Sequence, residues 1–274
     1  IMESPKRCPD KVGPTNTRPA NIEGIANRIN GTRIDKIDKK FRPKSLDEAY
    51  KVQFAIHKEL EKTKIGLRTG WKIGCTTNVM QNYLGIHTPC AGGIFEGTQH
   101  SGDVKVPFSD YVRPGVECEL AVKISEDTEV GFGSYTAETI SKHVDSISAA
   151  IEIVDDRWED YSSIDTPSLV ADDFFAAGIV LGEFFVRDLV NPKMLCGNMV
   201  INDEIIGEGI GSDIMQDPYN ALAWIANWLS NSKKNLKQGE VIMLGSIVQT
   251  QWVSKGDKVE VEIEKLGKTS ITFY

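Results

Sequence analysis

The sequence contains no apolar run approaching the roughly 18 residues that a membrane-spanning helix needs, so no membrane partner is expected. Residues 1–21 are polar and hold no apolar core of the signal-peptide kind. Positive charge is in the minority: 31 Lys and Arg against 39 Asp and Glu leave a net charge of −8. No basic stripe with interleaved aromatics is present, so nucleic acid is not expected as a partner either. The densest basic stretch, Arg33 to Lys44, also holds Asp35 and Asp38 and reads as solvated surface. The four histidines (57, 87, 100 and 143) are scattered without metal-ligand spacing. The five cysteines (8, 75, 90, 118 and 196) are odd in number and form no Cys-x-x-Cys pair. That disfavours both a zinc site and a disulfide scaffold, and makes a reducing cytoplasm the expected compartment.

What is present is an ordinary globular composition. At 274 residues, 41% apolar and 26% charged, the chain has material for one large domain or a domain with an appendage. Residues 1–21 are rich in Pro, Lys and Asn and read as a loose arm. Helical periodicity begins near Asn21 with Ile22, Ile25, Ala26 and Ile29. A second helix is expected from Ser45, an N-cap with Glu48 three residues on. From Gly70 the texture changes to short strands punctuated by Gly and Pro. The expected strands are 71–74, 104–107, 116–124, 149–154, 176–181, 198–201, 241–244, 258–264 and 270–273, with turn centres at Asn202-Asp203-Glu204 and Gly256-Asp257. Two helices interrupt them, one near 136–144 and one capped by Asp217 and Pro218 with Ala221, Trp224, Ile225, Trp228 and Leu229 on a core face. The order does not alternate as a doubly wound sheet would, so the expectation is an α+β fold. Its N-terminal arm and helical region cover 1–69, and a β-rich domain covers 70–274.

Three carboxylates stand out. Glu117 and Glu119 lie two apart on an apolar strand, so they share one face, while Val116, Cys118 and Leu120 occupy the other. From spacing alone they are a metal platform or the exposed face of a half-buried sheet. Glu152 shifts the balance, because it sits inside Ala149-Ala150-Ile151-Glu152-Ile153-Val154, a strand expected to be buried on both faces. An unpaired buried carboxylate is costly unless a cation partner or a metal compensates it. Hard oxygen ligands of this kind suit Mg²⁺ or Mn²⁺ rather than zinc. Lys72, between Gly70 and Gly74 in an apolar segment, is an edge lysine reaching solvent, a cation facing an anionic substrate, or a proton-transfer group with a pKa lowered by burial.

The segments Gly70-Trp71-Lys72-Ile73-Gly74, Leu84-Gly85-Ile86, Val116-Glu117-Cys118-Glu119-Leu120-Ala121 and Glu152-Ile153-Val154-Asp155-Asp156-Arg157 resemble the 2-keto-4-pentenoate hydratase group. That group, which includes the 2-oxo-hept-4-ene-dioate hydratases, belongs to the fumarylacetoacetate hydrolase superfamily. Val170-Ala171-Asp172, Gly178 to Gly182, Ala221 to Trp224 and Gly239 to Ser246 extend the likeness in order over about residues 40–274. The resemblance implies a mixed β-roll and a divalent metal, Mg²⁺ or Mn²⁺, held by Glu117, Glu119 and Glu152. It implies a 2-oxo or 2-hydroxy-dienoate substrate, with Lys72 at the substrate as a carboxylate holder or proton shuttle. It also implies homo-oligomeric assembly and a place in aromatic-compound catabolism.

Arg157 is expected to pair with a site carboxylate or to form a plain surface ion pair, Asp155 and Asp172 are candidates of the same kind, and Arg157, Asp172, Ser246 and Gln249 join Lys72 as the expected substrate-binding residues. Ser246 and Gln249, on a turn at 245–249, are placed near the pocket by the resemblance. The expected activity is hydration of a 2-hydroxy-2,4-dienoate to a 4-hydroxy-2-oxo acid. Alternatives are decarboxylation of a 2-oxo-enedioate and C–C hydrolysis, the latter requiring His87 at the metal. Two departures bear on the choice. Where the hydratases carry Asp after the Pro of the Leu-Gly element, this chain has Cys90; and where relatives carry small polar residues after the Ala-Asp pair, it has Asp173-Phe174-Phe175.

Overall fold

The computed structural model describes residues 27–34 and 37–274. Ile22, Ile25 and Ala26 of the first expected helix therefore lie outside the described residues, and 27–30 are helical. The first long helix, α1, spans Leu46–Leu60, with the Ser45 side chain accepting from the Glu48 amide. Glu48 reaches back one residue further than the usual reciprocal cap, to the amide of Lys44 at 2.9 Å.

Thirteen strands follow. The first group is β1 (Arg68–Gly74), β2 (Cys90–Phe95), β3 (Gln99–Ser101), β4 (Asp103–Val106), β5 (Pro114–Ile124), β6 (Val144–Asp155), β7 (Ala176–Leu181) and β8 (Phe185–Val186). The second is β9 (Cys196–Ile201), β10 (Glu204–Ile210), β11 (Val241–Trp252), β12 (Lys258–Ile263) and β13 (Gly267–Phe273). Further helices are α2 (Asn78–Leu84), α3 (Ala137–Ser141), α4 (Thr166–Ala171) and α5 (Pro218–Asn231).

The strands form two mixed sheets. One runs β2-β1-β11-β5-β6-β7-β3, with β8 added to β6; the other runs β10-β9-β12-β13-β4. This is the expected α+β architecture. β5, flanked by β11 and β6, is central as its composition requires, and β6 is buried from Ser146 through Asp155. The hairpin β9–β10 turns at Asn202 and Asp203, both with positive φ, as a two-residue hairpin turn demands.

β2 was not expected as a strand. Its Gly92 and Gly93 read as punctuation, yet each is required by a close approach: a Cβ at Gly92 would lie 2.7 Å from the Asp173 carbonyl oxygen, and one at Gly93 would lie 2.7 Å from the His57 ring. As an edge strand β2 exposes backbone polar groups, and α1 covers them. Tyr50 Oη accepts from the Ala91 amide at 3.2 Å, and Gln53 Nε2 donates to the carbonyls of Ala91 and Val170, both at 2.8 Å.

The expected turn at 245–249 is instead part of β11, which runs on to Trp252 and stays paired with β5. Its register against β5 shifts three times, between Met243 and Gln251, and Gly245 takes φ +115°. Such bulges bend a strand and increase its twist, and this bend curls the sheet over the carboxylates.

Candidate metal centre

Glu117 and Glu152 are directly opposite partners on β5 and β6, and Glu119 lies two residues along β5 on the same face. Ligand oxygens from the three glutamates lie within 4.8 Å of one another. Glu119 is fully buried, Glu152 is 1% exposed and Glu117 is partly buried. Lys72 joins them from β1: its Nζ lies 2.9 Å from Glu152 Oε1. β11 and β5 intervene between β1 and β6. In a flat sheet three strand spacings amount to about 14 Å, too far for side chains standing roughly perpendicular to the sheet. The curl of β11 is therefore what brings the lysine to the glutamates.

Three carboxylates against one ammonium leave an excess of negative charge when all are ionised. Burial, reinforced by Glu152, pushes Glu117 up to about 7 despite the opposing pull of Lys72 and of the Thr250 hydroxyl that donates to its Oε1. Burial and the charges of Glu152 and Glu117 push Glu119 well above the ordinary carboxylate range. The amide of Gly245 donates to Glu119 Oε2 at 3.0 Å and opposes that rise. Burial pulls the Lys72 ammonium down, but Glu152, Glu117 and Glu119 together outweigh it and raise its pKa above the ordinary lysine value. Glu119 Oε1 and Glu152 Oε2 are buried without a hydrogen-bond partner among the described residues. Orphaned carboxylate oxygens aimed into a cluster of excess negative charge fit a divalent cation with hard oxygen ligands.

Lys72 Nζ donates to the Phe174 carbonyl oxygen at 2.8 Å, and the Phe174 ring centroid lies 5.3 Å from Nζ. Phe174 belongs to an unusual turn in which Asp173, Phe174 and Phe175 have φ of 60°, 48° and 65°. Left-handed backbone costs an L-residue roughly 1–2 kcal/mol, so three in succession must be held by contacts elsewhere. Asp173 supplies them. Its Oδ1 accepts from the Gly93 amide at 2.9 Å and lies 2.6 Å from His57 Nε2, and its Oδ2 pairs with Arg28. Burial works against its ionisation, yet His57 and Arg28 hold the Asp173 carboxyl well below the usual range.

Other sequence candidates fall elsewhere. Arg157 is neither a surface ion pair nor a partner of Glu152: it is buried, and its Nη2 donates to Asp172 Oδ2 at 2.7 Å. Asp172 and Arg157 thus brace the base of the Phe174 turn. Asp155 accepts the amides of Val112 and Arg113 and fixes the entry to β5. Ser246 spends its hydroxyl on the carbonyls of Cys118 and Val248. Gln249 is exposed, because the strand it occupies alternates it outward. His87 is exposed and is not a member of the carboxylate cluster. Cys90 is buried beside Cys75, whose thiol is pushed up by its hydrogen bond with Cys90 and by burial, so it stays neutral. Thr250, Gly245 and His57 were not read as site residues from sequence. Only Gly245 left a signal, as a glycine interrupting an apolar run.

The family model for the fumarylacetoacetate (FAA) hydrolase C-terminal region matches residues 97–273. The chain belongs to the fumarylacetoacetate hydrolase family. This family member is 30% identical over 210 residues to the 2-hydroxyhexa-2,4-dienoate hydratase of Comamonas testosteroni, covering 74% of the chain and 77% of the relative. It is 29% identical over 228 residues to the 2-keto-4-pentenoate hydratase of Burkholderia vietnamiensis, covering 82% and 85%. The expected likeness to the 2-keto-4-pentenoate hydratase group is borne out. Among solved structures, the 4-oxalocrotonate decarboxylase from Pseudomonas putida G7, complexed with magnesium and adipate, superposes with a TM-score of 0.87 at 25% identity over 93% of the family member and 96% of the decarboxylase.

Proposed function

We propose that the chain is a divalent-metal-dependent hydro-lyase that adds water to a 2-hydroxy-2,4-dienoate of the 2-oxo-4-pentenoate type, giving a 4-hydroxy-2-oxo acid. The observation that carries this reading is the buried convergence of Glu117, Glu119 and Glu152 on one face with Lys72 at 2.9 Å from Glu152. Glu117, Glu119 and Glu152 would hold Mg²⁺ or Mn²⁺, the ions that match an all-carboxylate donor set. Bound there, the ion polarises the 2-oxygen of a chelating 2-oxo acid. The three glutamates raise the Lys72 pKa against the effect of burial, which supports the role of a fixed cation for the substrate carboxylate. The Phe174 ring lies against that ammonium, its centroid 5.3 Å from Nζ. The relatives named as hydratases support the hydration reading.

A second reading, decarboxylation of a 2-oxo-enedioate, draws on two observations. The decarboxylase from Pseudomonas putida G7 shares the fold over nearly the whole chain. Cys90, buried beside the Cys75 thiol, occupies the position where the resemblance expects a carboxylate. C–C hydrolysis loses its support, because His87 stands outside the cluster. Product mass spectrometry with Mg²⁺, a panel of 2-hydroxy-dienoates and 2-oxo-enedioates, and an EDTA control separates the readings. Gain of one water, lost on chelation, supports the hydro-lyase; loss of CO₂ moves the assignment to decarboxylase; turnover of neither class overturns both.

A further inference from the structure

Asp173 does not touch the carboxylate cluster, yet its neighbour Phe174 contacts Lys72, the one cation there among the described residues. Its carboxylate is fully buried and bound on three sides, by the Gly93 amide at 2.9 Å, by His57 Nε2 at 2.6 Å and by Arg28. Each partner comes from a separate element: Gly93 from β2, His57 from α1, and Arg28 from the helical residues 27–30. The imidazole is itself fixed among aromatic rings, with Phe95 at 5.1 Å and Trp71 at 5.9 Å between centroids. His57 Nδ1 is buried without a hydrogen-bond partner among the described residues, and Nε2 is the ring nitrogen directed at Asp173.

The next residue along the chain carries the consequence. Phe174 directs its carbonyl to Lys72 Nζ at 2.8 Å and sets its ring 5.3 Å from it. That geometry requires left-handed backbone at Asp173, Phe174 and Phe175, which aspartate tolerates and the two phenylalanines do not favour. Gly92 contributes by its missing side chain, since a Cβ there would meet both the Asp173 carbonyl oxygen at 2.7 Å and Lys72 Cε at 3.1 Å. A three-point anchor on Asp173 thus fixes the turn, the turn fixes the Phe174 carbonyl, and the carbonyl takes one of the three ammonium N–H groups of Lys72. Glu152 faces a second, and the third has no protein partner among the described residues.

We propose that Asp173, held by His57 and Arg28, is a positioning residue for Lys72, and that the pair Asp173–Phe174 sets where the lysine ammonium stands at the substrate. The inference rests on the proposed function only in taking Lys72 to face the substrate. Its structural content, that Asp173 immobilises Lys72, is independent of which reaction is catalysed.

The test uses Asp173→Ala, Asp173→Asn and His57→Ala in the full chain. The readouts are the rate of Lys72 acetylation by acetic anhydride, measured by peptide mass spectrometry against exposed Lys58 as internal standard, Mn²⁺ affinity, and the separate changes in kcat and KM. In Asp173→Ala the Lys72 to Lys58 labelling ratio is expected to rise about tenfold or more, with Mn²⁺ affinity within threefold of the parent. On a turned-over substrate, kcat is expected to fall by about 10- to 100-fold, as for other residues that orient a site group. Asparagine tolerates left-handed backbone and keeps an acceptor for Gly93 and His57, so Asp173→Asn is expected to recover most of both effects. His57→Ala, which leaves the turn residues intact, is expected to shift labelling in the same direction by less, and it decides the matter if Asp173→Ala does not fold. Unchanged Lys72 labelling in the folded variants overturns the proposal. So does equal loss in the Asn and Ala variants. Absence of turnover in the parent enzyme instead counts against the proposed function and leaves the labelling result to decide the positioning role.

Discussion

Glu117 and Glu152 face each other as directly paired residues on two adjacent strands in the interior of the protein. Like charges directly opposite one another on a sheet are destabilising even at a surface, and here burial amplifies the repulsion. Only one cation, Lys72, meets them among the described residues, and it also faces Glu119. The arrangement is costly as a structural element and well suited to holding a divalent ion.

Glu119→Gln separates those two descriptions. The amide removes one buried charge and retains an oxygen for the Gly245 amide, which donates to Glu119 Oε2 at 3.0 Å. Divalent-ion affinity is expected to fall by on the order of 100-fold or more, with metal-dependent turnover lost. The metal-free variant is expected to unfold at the same temperature as the parent or higher, because a neutral replacement relieves buried repulsion. Thermal unfolding and calorimetric titration check both halves; undiminished metal-dependent turnover sinks the assignment of this ligand.

Lys72→Ala acts in the opposite sense. It leaves Glu152 buried without its only ion-pair partner among the described residues, and breaking a buried pair costs about 3–5 kcal/mol. The metal-free variant is therefore expected to be markedly less stable, with much of the deficit restored by bound metal. Turnover is expected to fall far more than metal affinity. A titration showing the reverse, affinity lost and turnover kept, means that Lys72 belongs to the metal and not to the substrate.

The raised pKa values of Glu117 and Glu119 fix the direction of the pH dependence. Between the ordinary glutamate value of 4.5 and about 7, folded Glu117 holds a proton that unfolded Glu117 has released. Glu119 is shifted the same way. These groups therefore favour the folded state at low pH, and metal-free stability from this source declines as pH rises through that window. Metal binding must displace the same protons, so affinity is expected to strengthen from about pH 5.5 to 8, with proton release in calorimetry. Affinity independent of pH over this range contradicts the protonation picture.

Gly245→Ala tests the bend in β11. The position has φ +115°, and a Cβ there would meet Thr76 Cγ2 at 2.6 Å. A loss of about 1–3 kcal/mol in stability is expected, accompanied by weakened metal binding as the amide withdraws from Glu119. A variant with parental stability and affinity shows that the curl of β11 does not depend on this glycine.

Much of this was legible in the residues because it depends on alternation. The two-residue spacing of Glu117 and Glu119 fixed their common face, and the apolar surroundings of Glu152 marked it as buried. Asp217-Pro218 announced α5 by its cap. What local pattern could not carry was long-range pairing. Nothing near Lys72 in sequence says that β11 will insert between its strand and β5, or that bulges will then fold the lysine over the glutamates. Arg157 read as a surface or site residue because its partner, Asp172, becomes adjacent only when α4 packs. His57 read only as one of four scattered histidines; its Asp173 partner lies 116 positions away. The turn at 245–249 was misplaced because glycine in a bulged strand and glycine in a loop look alike until the partner strand is known.

Whether Glu117, Glu119 and Glu152 together hold a divalent ion is decided by calorimetric titration of EDTA-stripped protein with Mn²⁺ near pH 8, run beside Glu152→Gln. One Mn²⁺ per chain in the parent, and affinity reduced by on the order of 100-fold or more in the variant, is the result predicted. No binding to the parent, or equal binding to both proteins, would contradict it.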